Sequence, residues 1–291
     1  MRSSRRKPTR RRATVSGGWA RWAGRRLAAL RPFRPDPPPA RVAPADPPTV
    51  SVVVTNYNYA HYLGAALDSV LAQSCPAHEI IVVDDGSTDD SAALISAYGA
   101  RHPCIIPCGH PDGGNHGLSA TLRLGLAQAS GEYVAFCEAD DLWTPDHLAE
   151  KIGLIQAYGR PAWIANDVEL FGDRWRCLKM ELANARRIRA RCRCTLISFA
   201  PGEFRRANWI LTFSCCMARR ADLLGLDLAG NPWPEHTDWW LWRQMAARYP
   251  LHYLNRRLTY WRMHRSYVTR AKPSPERWRQ FRAAMDRLDL V

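Results

Sequence analysis

The spacing of apolar positions changes sharply after Pro48. "TVSVVVTNYN" is a β-branched run of strand length that ends in turn formers, and Leu63, Ala66, Leu67, Val70 and Leu71 then recur at helical spacing. "EIIVVDD" reads as a second strand. "STDDSAALISAYGA" reads as a helix with Leu94, Ile95 and Tyr98 on one face and Ser87 or Asp89 as its N-cap. A weaker strand at "CIIPC", a helix at "GLSATLRLGLAQAS" and a fourth strand at "EYVAFCEADD" complete a βαβαβαβ alternation. Short connections between buried strands and helices predict a mostly parallel sheet covered on both faces.

That architecture gives the polar positions a meaning. In open parallel sheets ligands bind beyond the carboxyl ends of the strands. Thr55, Asn56 and Tyr57 end the first strand, Asp84 and Asp85 the second, and Glu138, Asp140 and Asp141 the fourth. All three groups are therefore expected on one edge. A solvated turn would explain one acidic strand end; two need something to offset their repulsion, and a bound cation or sugar hydroxyls would do so.

Charge changes the picture little. The 291 residues carry a formal +14, but residues 1–49 hold thirteen Arg or Lys against Asp36 and Asp46, leaving +3 for the remaining 242. The prolines of "RPFRPDPPPARVAPADPP" predict an extended, disordered or linker-like arm. A short helix around "GGWARWAGRRLAAL" would set Trp19, Trp22, Leu27 and Leu30 among arginines, suited to an anionic membrane surface, although a solvated basic arm is the plainer reading. A basic nucleic-acid-binding protein is the rival class; basicity confined to a tail, beside an acid-rich body, argues against nucleic acid as the partner. The sequence has neither a spanning apolar stretch nor a secretory signal, so a cytoplasmic location is expected, with the inner membrane face within reach of the tail. Nine irregularly spaced cysteines fit a reducing compartment. "HPCIIPCGH" brings His102, Cys104, Cys108 and His110 together, but its Cys-x₃-Cys spacing is looser than a usual zinc knuckle; Cys192 and Cys194 would point to opposite faces if extended.

From Thr49 to about Ile155 the chain resembles family 2 glycosyltransferases of the GT-A fold, with "SVVVTNYNYAHYLGAALDSVLAQ", "EIIVVDDGSTDDS", "NHGLSATLRLGLAQASGEYVAF" and "EADDLW" in that family's order. The resemblance implies an α/β, Rossmann-like, mostly parallel sheet flanked by helices, with a mixed acceptor-side half. It also implies an inverting transfer of sugar from a nucleotide-sugar, a UDP- or dTDP-sugar, with Mg²⁺ or Mn²⁺, to a hydroxyl of a polysaccharide, lipid-linked or protein acceptor. In domain terms it suggests a tail (1–49), a nucleotide-sugar half (50–150), an acceptor and catalytic-base half (151–270) and a C-terminal helix (271–291).

By the same resemblance, Thr55 and Tyr57 would lie against the nucleotide base and Asp85 would accept a hydrogen bond from it. Asp84 is left the alternative of capping the following turn. Asp140 would approach the ribose and Asp141 would ligate the metal. In "WPEHTDWWLWRQMA", Thr237 reads as an N-cap, followed by helical spacing at Trp239, Trp242 and Met245. Asp238 in the first turn matches the catalytic base; Glu235 and His236 are neighbours that rival it, and an acid complementing the helix dipole is the plain alternative. "LTYWRMHRSYVTR" alternates, putting Tyr260, Arg262 and His264 on one face, and resembles the family's late YR-x-H element, with His264 as a metal or phosphate contact. The chain departs from the family at Glu138, where an Asp is usual, at Arg123, where Asn is common, and at Thr237. These departures leave open an inactive relative that binds nucleotide or glycan without transfer. Residues 160–232 are rich in Arg and the least legible stretch.

Overall fold

The computed structural model describes residues 46–184, 196–200, 210–264 and 274–288. The basic arm with its Trp19 region, and the Cys192–Cys194 pair, lie outside these residues. Four strands carry the expected alternation: β1 (Val50–Asn56), β2 (Glu79–Asp84), β3 (Ile105–Gly109) and β4 (Tyr133–Glu138). They are joined by α1 (Ala60–Leu71), α2 (Ser91–Arg101) and α3 (Leu118–Gln128). β1 pairs in parallel with β2 and with β4, and β2 with β3, in the order β3-β2-β1-β4. Val52, Val53, Val54 and Ile80 to Val83 are buried, as a sheet covered on both faces requires. α1 packs Leu63, Ala66, Leu67 and Val70 into that core, with Leu71 at its margin.

Beyond β4 the strand directions mix. The chain continues through β5 (Leu142–Trp143), α4 (His147–Ala157), β6 (Trp163–Gly172), α5 (Arg174–Asn184), β7 (Leu196–Phe199), β8 (Cys216–Arg219), α6 (Arg220–Leu224), α7 (Thr237–Arg248), β9 (Leu251–Met263) and α8 (Pro275–Leu288). β8 runs antiparallel to β4 and β6, β6 runs parallel to β9, and β5 and β7 run antiparallel to β9. α7 is buried almost continuously from Trp240 to Ala246, so the stripe expected from Trp239, Trp242 and Met245 is only part of its packing. Among the described residues, no helix is long and apolar enough to cross a membrane.

This topology creates the crevice. The chain lays β1, β2 and β3 outward in one direction and then crosses to place β4 on the other side of β1, so the strand order reverses between β1 and β4. At that point Thr55 is in register with Glu138, while Asn56 is in register with Asp84. The acidic strand ends thus share one rim. Glu79, by contrast, starts β2 at the opposite end of the sheet. Burial works against its charge, but donors from Ser51 and Ser130 hold its carboxyl below the usual range.

Candidate active site

The adjacent acids Asp84 and Asp85 have separate tasks. Asp84 Oδ1 accepts from Asn56 Nδ2 (2.7 Å) and Ser87 Oγ (2.6 Å), and its Oδ2 accepts from the Ser87 amide (3.0 Å). It closes the turn after β2. Asp89 then ties two helices together: Oδ1 accepts from the amide and hydroxyl of Ser91 at the start of α2, and Oδ2 from the Ala60 amide at the start of α1. Neither expected cap, Ser87 nor Asp89, holds the N-cap position of α2: that residue is Asp90, which makes no side-chain cap bond, and Asp89 reaches Ser91 from one residue earlier.

Asp85 turns the other way. Its Oδ1 accepts from the His116 amide (2.7 Å) and its Oδ2 from the Gly117 amide (2.9 Å), which orients the carboxylate while each oxygen keeps a further lone pair. His110 Nε2 stands 3.3 Å from Oδ1 without the alignment of a hydrogen bond. The approach of the 113–117 loop depends on Gly86, which has φ +70°; a Cβ there would lie 2.6 Å from the Gly114 carbonyl carbon and 2.8 Å from the Asn115 nitrogen.

Over this rim lies a cavity of about 550 Å³. Thr55, Tyr57, Asp85, Asn115, Glu138, Asp140, Thr212, Phe213, Asp238 and Trp261 are among the residues that line it. The structure therefore brings Thr55, Tyr57, Asp85, Asp140 and Asp238 to one space, from segments nearly 200 residues apart. Tyr57 leaves 42% of its surface exposed, a free aromatic face at the strand exit.

Asp141 departs from expectation. It is fully buried and outside the cavity lining, with Oδ1 accepting from the Arg262 amide (3.0 Å) and Oδ2 lying 2.9 Å from Thr212 Oγ1. The cause is the turn after β4, where the Asp141 amide donates to the Glu138 carbonyl and directs successive side chains differently. Asp140 faces the cavity instead, and its Oδ2 lies 2.8 Å from His264 Nε2. His264 is buried beside Tyr59 and Tyr62, outside the lining. Arg262 braces this corner: its Nε donates to the Asp140 carbonyl (2.8 Å), and its guanidinium lies over the rings of Tyr62 (4.4 Å) and Phe171 (4.3 Å).

The acids interact strongly. Burial, then the charge of Asp140, pushes the Glu138 carboxyl up to about 8, and the same two causes, joined by Glu138, push Asp141 well above the carboxylate range. Thr212 Oγ1 is 2.5 Å from Glu138 Oε2 and 2.9 Å from Asp141 Oδ2. One hydroxyl proton cannot serve both oxygens, so the second contact requires a proton on a carboxyl, as those upward shifts provide.

These groups suit a divalent cation in part. The Asp140 carboxylate is an oxygen ligand of the kind Mn²⁺ and Mg²⁺ prefer, and the acid cluster would be relieved by positive charge. Among the described residues no three His, Cys, Asp or Glu side chains form a ready ligand set. The protein would thus supply few ligands and a bound substrate the rest, a usual arrangement for Mg²⁺ with phosphates.

Thr237 is not the N-cap. A 3₁₀ turn at Pro234–His236 precedes it, and Thr237 is the first helical residue, its Oγ1 donating to the Pro234 carbonyl (2.7 Å) and lying 2.9 Å from Ser119 Oγ. This seam joins α7 to α3 and leaves Asp238 in the first turn, lining the cavity; His236 lines it too. Arg123 is exposed on α3, away from the lining.

Sequence reasoning missed Thr212, Ser214 and Trp261. Thr212 and Ser214 sit in the least periodic stretch, where a 3₁₀ turn at Phe213–Cys215 lets Ser214 Oγ accept from the Glu138 amide (2.9 Å). The local signal was a Thr two residues before a Ser, whose amide donates to Thr212 Oγ1 (3.2 Å). For Trp261, alternation drew attention to Tyr260, Arg262 and His264, whereas the residue on the opposite face enters the cavity.

Known proteins share this arrangement of strands and motifs. An uncharacterized glycosyltransferase of Nostoc sp. is 43% identical over 108 residues, 37% of this chain and 33% of that protein. The glycosyltransferase GlyA of Streptococcus pneumoniae is 36% identical over 117 residues, 40% of this chain and 16% of that protein. The Nostoc match thus spans about a third of its curated relative. Among solved structures, Staphylococcus aureus TarS 1–349 in complex with UDP superposes with a TM-score of 0.61 at 17% identity, covering 83% of this chain and 69% of that one. The mannosyltransferase PcManGT of Pyrobaculum calidifontis, in complex with GDP-Man and Mn²⁺, gives 0.59 at 19% identity, covering 94% and 77%. These likenesses identify the GT-A fold. The pattern described as Glycosyl transferase family 2 matches residues 51–219, more than half of the sequence, and the chain belongs to that family.

Proposed function

We propose that this chain is an inverting glycosyltransferase that moves a sugar from a nucleoside diphosphate to an acceptor hydroxyl. The observation that carries the reading is the shared cavity, lined together by an aromatic side chain at Tyr57, the oriented carboxylate of Asp85, Asp140 and Asp238. Tyr57 offers a stacking surface for the base, and Asp85, fixed by two backbone amides, is left to accept from a base N–H. A uracil or thymine imide is such a donor, which favours a UDP- or dTDP-sugar; TarS, of the same fold, holds UDP.

Asp140, on the cavity wall, is the group that would hold Mn²⁺ or Mg²⁺, in place of the buried Asp141 expected from the sequence, and His264, which like Asp141 lies outside the lining, positions its carboxylate through Nε2. When bound, the cation offsets the charge on the departing diphosphate. Asp141, hydrogen-bonded to the Arg262 amide, instead secures the β4 turn against β9.

Inversion takes one displacement. The acceptor oxygen bonds to the anomeric carbon as the carbon–oxygen bond to the diphosphate breaks on the opposite side, and Asp238 removes the hydroxyl proton. Held by the α7–α3 seam, Asp238 meets the positional demand on a base. Asp238→Asn should therefore bind donor like the wild type but lose transfer by about 10²-fold or more. Unchanged turnover would remove Asp238 from the base role, whereas a wild type that binds donor without turning it over would mark an inactive relative.

A further inference from the structure

α5 presents apolar side chains to solvent in a way the catalytic reading does not use. Trp175, Leu178 and Leu182 are 80%, 47% and 68% exposed. Their i, i+3, i+7 spacing places them on one stripe of the helix, while Cys177 and Met180, partly buried, fall on the opposite side. Lys179 borders the stripe on one side and Arg174 on the other, with Glu181 beyond Arg174, while Arg176 lies further round the helix, paired with Asp173.

The helix is firmly placed. Asp173 Oδ1 accepts from the amides of Trp175 (3.1 Å) and Arg176 (3.2 Å), capping its first turn. The Asp173 amide donates to the Met263 carbonyl (2.8 Å), one residue before His264. Gly172, at φ +102°, allows this approach, since a Cβ would lie 2.7 Å from the Met263 oxygen. The exposed stripe is thus tethered to the strand that ends beside Asp140.

We propose that the outer face of α5 docks on an anionic lipid surface, with Trp175, Leu178 and Leu182 entering the headgroup–acyl boundary and Arg174 and Lys179 meeting the phosphates. Charge selects this occupant. A second copy would bring the same cations against themselves, and the chain's own basic arm, +11 over residues 1–49, would be repelled. An apolar stripe bordered by cations is complementary to an interface that is apolar within and negative at its rim. The inference does not depend on the donor or on transfer.

The test uses the full chain and its triple variant W175S/L178S/L182S, which retains the basic arm, with phosphatidylglycerol–phosphatidylcholine vesicles and with phosphatidylcholine alone. Co-sedimentation would be measured at about 0.1 M and about 0.5 M NaCl, the higher salt suppressing purely electrostatic attachment. The wild type should bind the anionic vesicles, keep a salt-resistant fraction and bind phosphatidylcholine weakly; the triple variant should lose that fraction by at least about tenfold. R174E/K179E should weaken low-salt binding while leaving the apolar stripe intact. Equal donor binding by both full-length proteins would show that the triple variant is folded. Equal vesicle binding by the wild type and the triple variant, equal binding to neutral and anionic vesicles, or no binding by the wild type would overturn the proposal. So would a concentration-dependent dimer abolished by the triple variant without any effect on vesicles, which would assign the stripe to a second copy.

Discussion

Lys151→Met probes how the cavity wall is held. Lys151 is fully buried on α4, its ammonium 2.8 Å from His147 Nε2 and donating to the Cys215 carbonyl (3.0 Å). His147 stacks on Trp143 at 3.9 Å and points Nδ1 at the Leu258 carbonyl (3.1 Å), an arrangement suited to a neutral ring with a lone pair on Nε2. Burial, followed by the Lys151 charge, indeed holds that imidazole well below its usual range. Burial also brings Lys151 down from 10.5 to about 8, with the thiols of Cys216, Cys215 and Cys137 opposing the shift. Between these pH values the unfolded chain binds a proton that the folded chain does not, so stability rises with pH across that window and is insensitive to this group below it. The fall from 10.5 to about 8 amounts to roughly 3 kcal/mol. Urea unfolding of the wild type and Lys151→Met, at about pH 8 and about pH 10.5, would measure it. The wild type should gain on the variant by that amount as pH rises. A difference that stays flat would refute the claim that Lys151 is buried with a depressed pKa behind the Phe213–Cys215 turn.

Other consequences can be measured separately. Asp140→Asn should raise the Mn²⁺ concentration needed for half-maximal activity by tenfold or more, at about 1.4 kcal/mol per decade, while Asp141→Asn, whose amide can keep the contacts to the Arg262 amide and Thr212, should leave it near the wild-type value. An Asp141→Asn enzyme that alone lost its cation response would reverse the assignment. Tyr57→Ala should weaken nucleotide binding by about 1–3 kcal/mol in calorimetry if the ring stacks on the base. Gly86→Ala must strain a φ of +70° and displace the backbone of Gly114 and Asn115, so it should cost both folding stability in urea titrations and donor affinity. Wild-type affinity would show that the 113–117 loop does not depend on that approach.

The parallel half of the sheet was legible because its strands are buried on both faces and its helices have one apolar side, so each period declares its element. The rim was legible for the same reason: register in a parallel sheet fixes which residues end together, and the groups at Thr55 to Tyr57, Asp84 and Asp85, and Glu138 to Asp141 followed from it, whereas the choice of Asp85 over Asp84 rested on the resemblance to the family. What resisted were positions decided by the path of a turn. Asp140 and Asp141 are neighbours, and only the backbone geometry after β4 determines which carboxylate meets the cavity and which is sealed beneath Thr212. Thr237 was misread because a 3₁₀ turn begins the bend one step earlier, which turns an expected cap into a packing hydroxyl. Thr212 and Ser214 gave almost no periodic signal, since their contacts reach across more than 70 residues to Glu138 and Asp141.

The central claim is that one cavity takes a nucleotide sugar together with a divalent cation, and thermal protection of the wild-type chain across a panel of nucleotide sugars tests it most directly. Each donor would be measured with Mn²⁺ and with a chelator. The account predicts that a uridine or thymidine diphosphate sugar raises the melting temperature with Mn²⁺ and much less with chelator. Protection by no nucleotide sugar, or equal protection with and without the cation, would contradict it.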